Sequence, residues 1–239
     1  MSNSDRIYRN RVSSDDLTSF HVCVRQTDLF ISSDQRLYQQ ALQSVYTYRA
    51  HIESYAKMHP GFLTALSPVK TDDAAPPIIR DMTKAAFAAN VGPMASVAGA
   101  ISEYVAYDLL KISQNVIVEN GGDIFLKTKR EARVGIFAGA SPLTFRLNLL
   151  LKPSRMPVGI CTSSGTIGHS LSFGKADAVS VISKSSIMAD AAATAIGNLV
   201  KGITDIRPAL EKGIEIDGVL GVLIIIGDQF GVIGDVELT

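Results

Sequence analysis

SSIMADAAATAIGN, residues 185–198, and GPMASVAGAISEYVAYDLLK, residues 92–111, are the stretches whose reading decides the fold. Both read as helices with an unusually thin front half, and Pro93 suits a first helical position, where its missing N–H costs nothing. Met94-Ala95 and Ala98 match Met188-Ala189 and Ala192 at a spacing of 94 residues. Downstream of each helix stands a glycine-aspartate pair in apolar surroundings, Gly122-Asp123 with Phe125 and Gly227-Asp228 with Phe230, 105 residues apart. The same order occurring twice predicts one domain over 1–239 built from two intimately packed repeats of about 1–130 and 131–239. Alanine-rich strings also agree by chance, and a domain without repeats stands as an equal reading.

Outward from these helices the pattern turns to strands. Phe20, Val22 and Val24 alternate with polar residues, and Leu29 to Ile31 predicts a second strand or a continuation past a bulge. Ser33 is read as the cap of a helix with Leu37, Ala41, Leu42, Val45, Tyr48, Ile52 and Tyr55 on one face, stopped by Pro60-Gly61. A loop over 71–77 leads into a helix over 78–89. Strands are predicted at 116–118 and 123–126 around a Glu119-to-Gly122 turn, then at 133–138, 144–151, 157–161 and 176–183. A helix over about 186–201 and strands near 220–226 and 230–236 complete the chain. Short turns between strands, with helices grouped between them, give an α+β fold of antiparallel sheets with packed helices.

Composition narrows the function classes. The chain has 239 residues, 46% apolar and 19% charged, which supplies a core and excludes an intrinsically disordered chain. Lysines and arginines number 23 and acids 23, so no bulk field draws the protein to nucleic acid or an anionic bilayer. The longest strongly apolar run, Val219 to Ile226, falls far short of the roughly 20 residues needed to span a bilayer. The first thirty residues show no secretory or lipidation signal, and a cytoplasmic protein is expected. Cys23 and Cys161 read as free thiols, too few for a zinc site of cysteines. Gly- and Ala-faced helices and low charge are compatible with a homodimer without demanding one.

Three stretches can carry chemistry. In 185–198, Asp190 and Thr194 lie one above the other on a helix face flanked by alanines and Gly197. A carboxylate with a hydroxyl is an oxygen-only pair suited to Mg²⁺. Asp190 near a helix start is equally explained by the macrodipole, and Thr194 by a bond to the carbonyl of residue 190. At the spacing of 94 the first helix has Ser96 and Ala100 instead, so packing alone does not require the pair. The second stretch, 161–175, combines glycines with many hydroxyls and His169, suited to a phosphate or a ring-bearing ligand, or simply to joining two strands. His169 is either a base or phosphate ligand or an ordinary bonded loop residue, and Cys161 is either a nucleophile or a buried inert thiol. In the third, 119–125, Gly121 and Gly122 let a flat ligand approach the backbone, or serve only a tight hairpin.

Taken in order, Gly121-Gly122-Asp123, Thr162-Ser163-Ser164-Gly165, His169 and Ala189-Asp190-Ala191-Ala192-Ala193-Thr194-Ala195 resemble the ApbE superfamily, whose best-known members are Mg²⁺-dependent FAD:protein FMN transferases. Gln-Thr-Asp-Leu-Phe-Ile at 26–31 and Asn-Val-Gly-Pro-Met-Ala at 90–95 extend the resemblance to the smaller ApbE-like branch, over most of residues 6–235. The resemblance implies a duplicated T-fold-like arrangement. It also implies Mg²⁺ on Asp190 and Thr194, and FAD against Asn120, Gly121, Gly122, Asp123, Thr162, Ser163, Ser164, Gly165 and Thr166. His169 and Asp190 would be the catalytic residues, moving FMN to a Ser or Thr of a flavinylated target protein. Against the transferases, the chain has Gly168-His169-Ser170-Leu171-Ser172 with no His-x-x-Asp-Pro element, a shortened loop, and no lipoprotein-type N-terminus. Two further functions remain: an accessory module that binds ligand without chemistry, and a sulfur-assimilation factor using Cys161, as linked to some relatives in methanogenic archaea.

Overall fold

The computed structural model describes residues 12–13, 16–165 and 174–239. Eleven strands are described: β1 Val12–Ser13, β2 Thr18–Val24, β3 Thr27–Ser33, β4 Val116–Asn120, β5 Asp123–Lys127, β6 Ala132–Gly135, β7 Asn148–Leu151, β8 Val158–Ser163, β9 Ala178–Ser183, β10 Val219–Ile226 and β11 Gln229–Gly234. The α-helices are α1 Tyr38–Met58, α2 Gly61–Thr64, α3 Pro77–Ala89, α4 Val97–Leu109, α5 Ser186–Leu199 and α6 Ile206–Ile214. Eight strands form one antiparallel sheet in the order β11-β10-β9-β8-β5-β4-β3-β2, and β1-β6-β7 form a second, small one. The α+β class with antiparallel sheets is what the chain adopts.

Within the large sheet each half runs strand, strand, helices, strand, strand, and the halves join where β5 pairs with β8. The string matches are out of step with this order. Met94-Ala95 falls in a 3₁₀ turn, Pro93–Ser96, ahead of α4, whereas Met188-Ala189 lies inside α5. The glycine-aspartate pairs mark corresponding hairpins, but Gly121-Gly122 turns between Asn120 and Asp123 while Gly227-Asp228 turns between Ile226 and Gln229, one residue apart in frame. The element order, not the strings, is what recurs.

Alternation decides the two faces. Phe20, Val22, Leu29, Ile31, Val118 and Phe125 pack beneath α1, α3 and α4. Val179, Val181, Val222 and Ile224 pack beneath α5 and α6. The opposite face, with Ile117, Ile124, Leu126, Ile160 and Leu223, is covered by Val134, Leu149 and Leu151 of the small sheet. Among the described residues no single helix is long and apolar enough to cross a membrane.

Several boundaries depart from the sequence reading. The first helix opens at Leu37–Tyr38 rather than after Ser33, because Ser33 ends β3 and its hydroxyl donates to the Gln35 carbonyl. The strand expected over 144–151 starts at Asn148, after a turn in which Phe145 takes φ +57°. Helix α6 was not foreseen: Pro208 obscures it, although a proline in the first turn forfeits no intrahelical bond.

The link between β3 and α1 is tied to the link between α4 and β4 through Asp34. Its carboxylate accepts from the Ser113 hydroxyl at 2.8 Å, the Gln114 and Asn115 amides at 2.7 and 3.0 Å, and the Asn115 side chain at 2.6 Å. Burial acts upward on this carboxyl, but bonds from Asn115, Ser113 and Gln114 outweigh it and bring its pKa to about 2. A depressed carboxylate stabilises the fold above its unfolded value and loses that contribution as pH falls toward the folded value. Asp34 is exposed, so the expected cost of Asp34→Ala at neutral pH is only about 1 kcal/mol. Denaturant titration at several pH values should show that difference shrinking between about pH 4 and about pH 2.

Candidate functional site

The hairpin between β4 and β5, the end of β8, and the first turns of α4 and α5 meet at one end of the sheet, where the two halves join. Gly121 and Gly122 take φ of +69° and +108°, a left-handed pair that glycine adopts without strain. A side chain at Gly121 would meet nothing within 4 Å, so the turn stays open above. Behind it, the Asn120 amide donates to the Ala98 carbonyl at 3.2 Å, and the Ser102 hydroxyl lies 3.0 Å from the Asp123 carbonyl. These bonds seat α4 on the hairpin.

Asp123 faces Cys161 across the β5–β8 ladder. Its carboxyl accepts from the Cys161 thiol and the Thr162 amide. Burial, then the charge of Asp190, then that of Glu119, hold it well above the usual carboxylate range, and those two bonds only partly offset this. Asp190 comes from α5. Its Oδ2 accepts from the Gly99 amide at 2.9 Å, and the Ala98 amide also bonds it. Burial nevertheless raises its pKa. Both aspartates keep partial exposure, so neither is sealed in the core. Two carboxylates thus repel each other in a site where their partners are amides and a thiol.

Thr194 lies one turn along α5 from Asp190 and is partly exposed, so the stacked pair is present as the spacing required. The Thr-Ser-Ser-Gly string divides. Ser163 is on the helix-facing side of β8 with Cys161, while the Thr162 hydroxyl pairs with that of Ser180 at 2.8 Å on the other face, leaving only its amide toward Asp123. Ser164 and Gly165 follow the strand, and the Gly165 amide donates to the Ala176 carbonyl at 2.9 Å. A Cβ on Gly165 would lie 2.3 Å from the Gly174 carbonyl, and one on Gly174 would lie 1.9 Å from the Gly197 carbonyl of α5. The two ends of loop 166–173 are therefore drawn together against the last turn of α5. Thr166 and His169 lie outside the described residues.

Oxygen donors, partial exposure and mutual repulsion fit a hard divalent cation, because its charge stabilises both ionised carboxyls at once. Among the described residues no three His, Cys, Asp or Glu side chains converge as a complete metal cage.

Cys161 does not suit a reactive thiol. It is fully buried, its Sγ sits 3.3 Å from the Ser186 carbonyl, and burial with the charges of Asp123 and Asp190 pushes its pKa well above the ordinary thiol range. The thiolate is the reactive form, so the sulfur-handling function expected as an alternative loses its residue. A thiol reagent should modify one cysteine, the exposed Cys23, in the folded protein and both in denaturant. Two fast-reacting thiols in the native state would contradict this assignment.

One functional group went unread in the sequence. Glu103 of α4 accepts from the Ser185 hydroxyl at 2.8 Å and from the Ile187 amide at 3.3 Å, and the Ser186 amide also bonds it. Burial raises its pKa against the effect of those bonds. Each helix therefore donates its first-turn groups to a carboxylate of the other: α4 to Asp190, α5 to Glu103. A local capping box would have needed Glu or Gln three residues after the cap, but Ser96 and Ser185 are followed at that step by Gly99 and Met188.

A family model described as AbpE bacteria matches residues 9–231. A UPF0280 protein of Methanococcus maripaludis is 42% identical over 221 residues, covering 90% of each chain, and the UPF0280 protein of Methanocaldococcus jannaschii gives the same figures. Among solved structures, the apo flavinyl transferase ApbE of Pseudomonas stutzeri superposes with a TM-score of 0.59 at 13% identity, over 91% of this chain and 94% of that one. A mutant of the flavin transferase ApbE from Vibrio cholerae gives 0.57 at 13% identity, over 92% and 97%. At that identity the structural likeness speaks for the fold.

Proposed function

The chain belongs to the AbpE bacteria family within the ApbE-like superfamily, and from that premise we propose that it binds a flavin nucleotide with Mg²⁺ at the Asp123–Asp190 cluster. The observation that carries the reading is Asp190 held by the first-turn amides of α4, with Thr194 one turn away, beside an open glycine turn. Asp190 and Thr194 would hold the metal, and Asp123, its ionisation opposed by Asp190, would gain most from the added charge. Bound there, Mg²⁺ supplies charge neutralisation to a pyrophosphate. The chain's own part is positional. The α4 amides fix Asp190, the Gly121-Gly122 turn leaves the backbone bare for a flat ring, and Ser163 on the helix-facing side of β8 would offer its hydroxyl to a nucleotide.

As a transferase the protein would direct a Ser or Thr hydroxyl of a target onto the FMN phosphorus of FAD. The new P–O bond forms as the pyrophosphate P–O bond breaks, and AMP leaves. His169 is the base this reading assigns to take the hydroxyl proton. The sequence Gly168-His169-Ser170-Leu171-Ser172, without a His-x-x-Asp-Pro element, favours a second reading, a ligand-binding protein without transfer.

Titration with FAD in Mg²⁺ and in chelator, with mass spectrometry of the protein and of candidate targets, separates the outcomes. Transfer gives AMP and a target heavier by FMN, and the accessory reading gives bound FAD alone. Absence of any flavin binding removes both.

A further inference from the structure

We infer that Glu103 is a positioning residue for Asp190, an inference that rests on the metal reading above only for its functional consequence. Gly99 and Glu103 are one turn apart on α4, and Ser186 and Asp190 are one turn apart on α5. Gly99 bonds Asp190, and Glu103 bonds Ser186 together with Ser185 and Ile187. The four positions form a closed antiparallel rectangle, with the Ser186 hydroxyl donating to the Gly99 carbonyl at 2.8 Å inside it.

The rectangle has no slack on its Asp190 side. A Cβ on Gly99 would lie 2.2 Å from the Ser186 carbonyl oxygen and 2.9 Å from the Asp190 Cβ, so the helices touch backbone to backbone there. On the Glu103 side the packing is looser: a cavity of about 210 Å³ opens against Glu103 and Ser185, walled by Asp81 and Lys84 of α3 and by Met188. Truncating Glu103 therefore meets no steric obstacle. It removes the acceptor of the Ser185 hydroxyl and the Ile187 amide at the start of α5, where Ser186 keeps its bond to the Gly99 carbonyl, and the carboxylate one turn further on is held less firmly against the α4 amides. Among the described residues no hydrogen bond joins Glu103 to Asp190 or Thr194, so its influence runs through α5.

The Gly99 amide reports the effect without any metal. In protein labelled with ¹⁵N-glycine, Glu103→Ala should speed hydrogen exchange at Gly99 by about tenfold. In the same variant the Mg²⁺ concentration that half-saturates the tightening of FAD binding should rise by a similar factor. Glu103→Gln, which retains an oxygen acceptor, should keep most of both, and Lys84→Ala on the same cavity wall should change neither. Native-like Gly99 exchange in Glu103→Ala overturns the inference. Should that variant fail to fold, Ser185→Ala decides, and native Gly99 exchange in it overturns the inference. If the parent protein shows no Mg²⁺ effect, the metal reading fails on its own, and the exchange rates still settle the positioning role.

Discussion

Asp190→Ala abolishes the tightening of FAD binding by Mg²⁺: its affinity for FAD is the same with the metal as in chelator, where the parent protein gains about tenfold or more. The carboxylate is the only charged group of the stacked pair, and Thr194 alone is too weak a ligand to hold a strongly hydrated ion. Two side effects accompany the change. The first-turn amides of α4 lose an acceptor, which costs about 1–2 kcal/mol, and Asp123 loses the charge that opposes its own ionisation. Asp190→Asn separates these, since its amide oxygen still accepts from Gly99 while the charge is gone. Both variants should bind FAD equally with and without Mg²⁺, measured by fluorescence titration of the flavin. A full Mg²⁺ effect in Asp190→Asn would remove the carboxylate from the site.

Gly159→Ala should be strongly destabilising. A Cβ there would lie 2.3 Å from both N and Cα of Ser186 and 2.7 Å from the Ser185 carbonyl carbon, all backbone atoms that no rotamer change can move. Strand β8 and the start of α5 would have to separate, with loss at both corners of the α4–α5 rectangle. Overpacking of this kind costs about 3 kcal/mol or more, a large share of the stability of an ordinary domain. Gly159→Val should yield no soluble protein. Gly61→Ala is the matched control: a Cβ there meets nothing within 4 Å, and its unfolding midpoint should stay within about 0.5 kcal/mol of the parent. A native midpoint for Gly159→Ala would mean that β8 and α5 are further apart than described.

What the chain betrays of itself follows from how local each cause is. Phe20, Val22 and Val24 alternate because one strand face is buried, and that is visible in five residues. The small front halves of α4 and α5 were visible too, and the reason is now plain: Gly99 is where the two backbones meet. Asp190 and Thr194 could be singled out because helical spacing is local. The acceptor role of Asp190 toward Gly99 could not, since the partners are 91 residues apart and leave no pattern in either segment. Glu103 was hidden for the same reason, and the missing capping-box residues after Ser96 and Ser185 were the one hint of a distant acceptor. The Thr162 hydroxyl was misjudged because a strand turns alternate residues to opposite faces, which a reading of 162–166 as one loop ignores.

The junction of β5 with β8 has a consequence for how the molecule comes apart. Divided between residues 128 and 157, the chain would give two fragments, each with a raw sheet margin and helix amides stripped of their carboxylate. Each fragment lacks groups that the other satisfies, so the two halves should lose structure together in heat or urea, seen as coincident transitions by different probes. The glycine-turn end of the sheet is also the seam, and a ligand bound there would staple the two pieces of the polypeptide to each other.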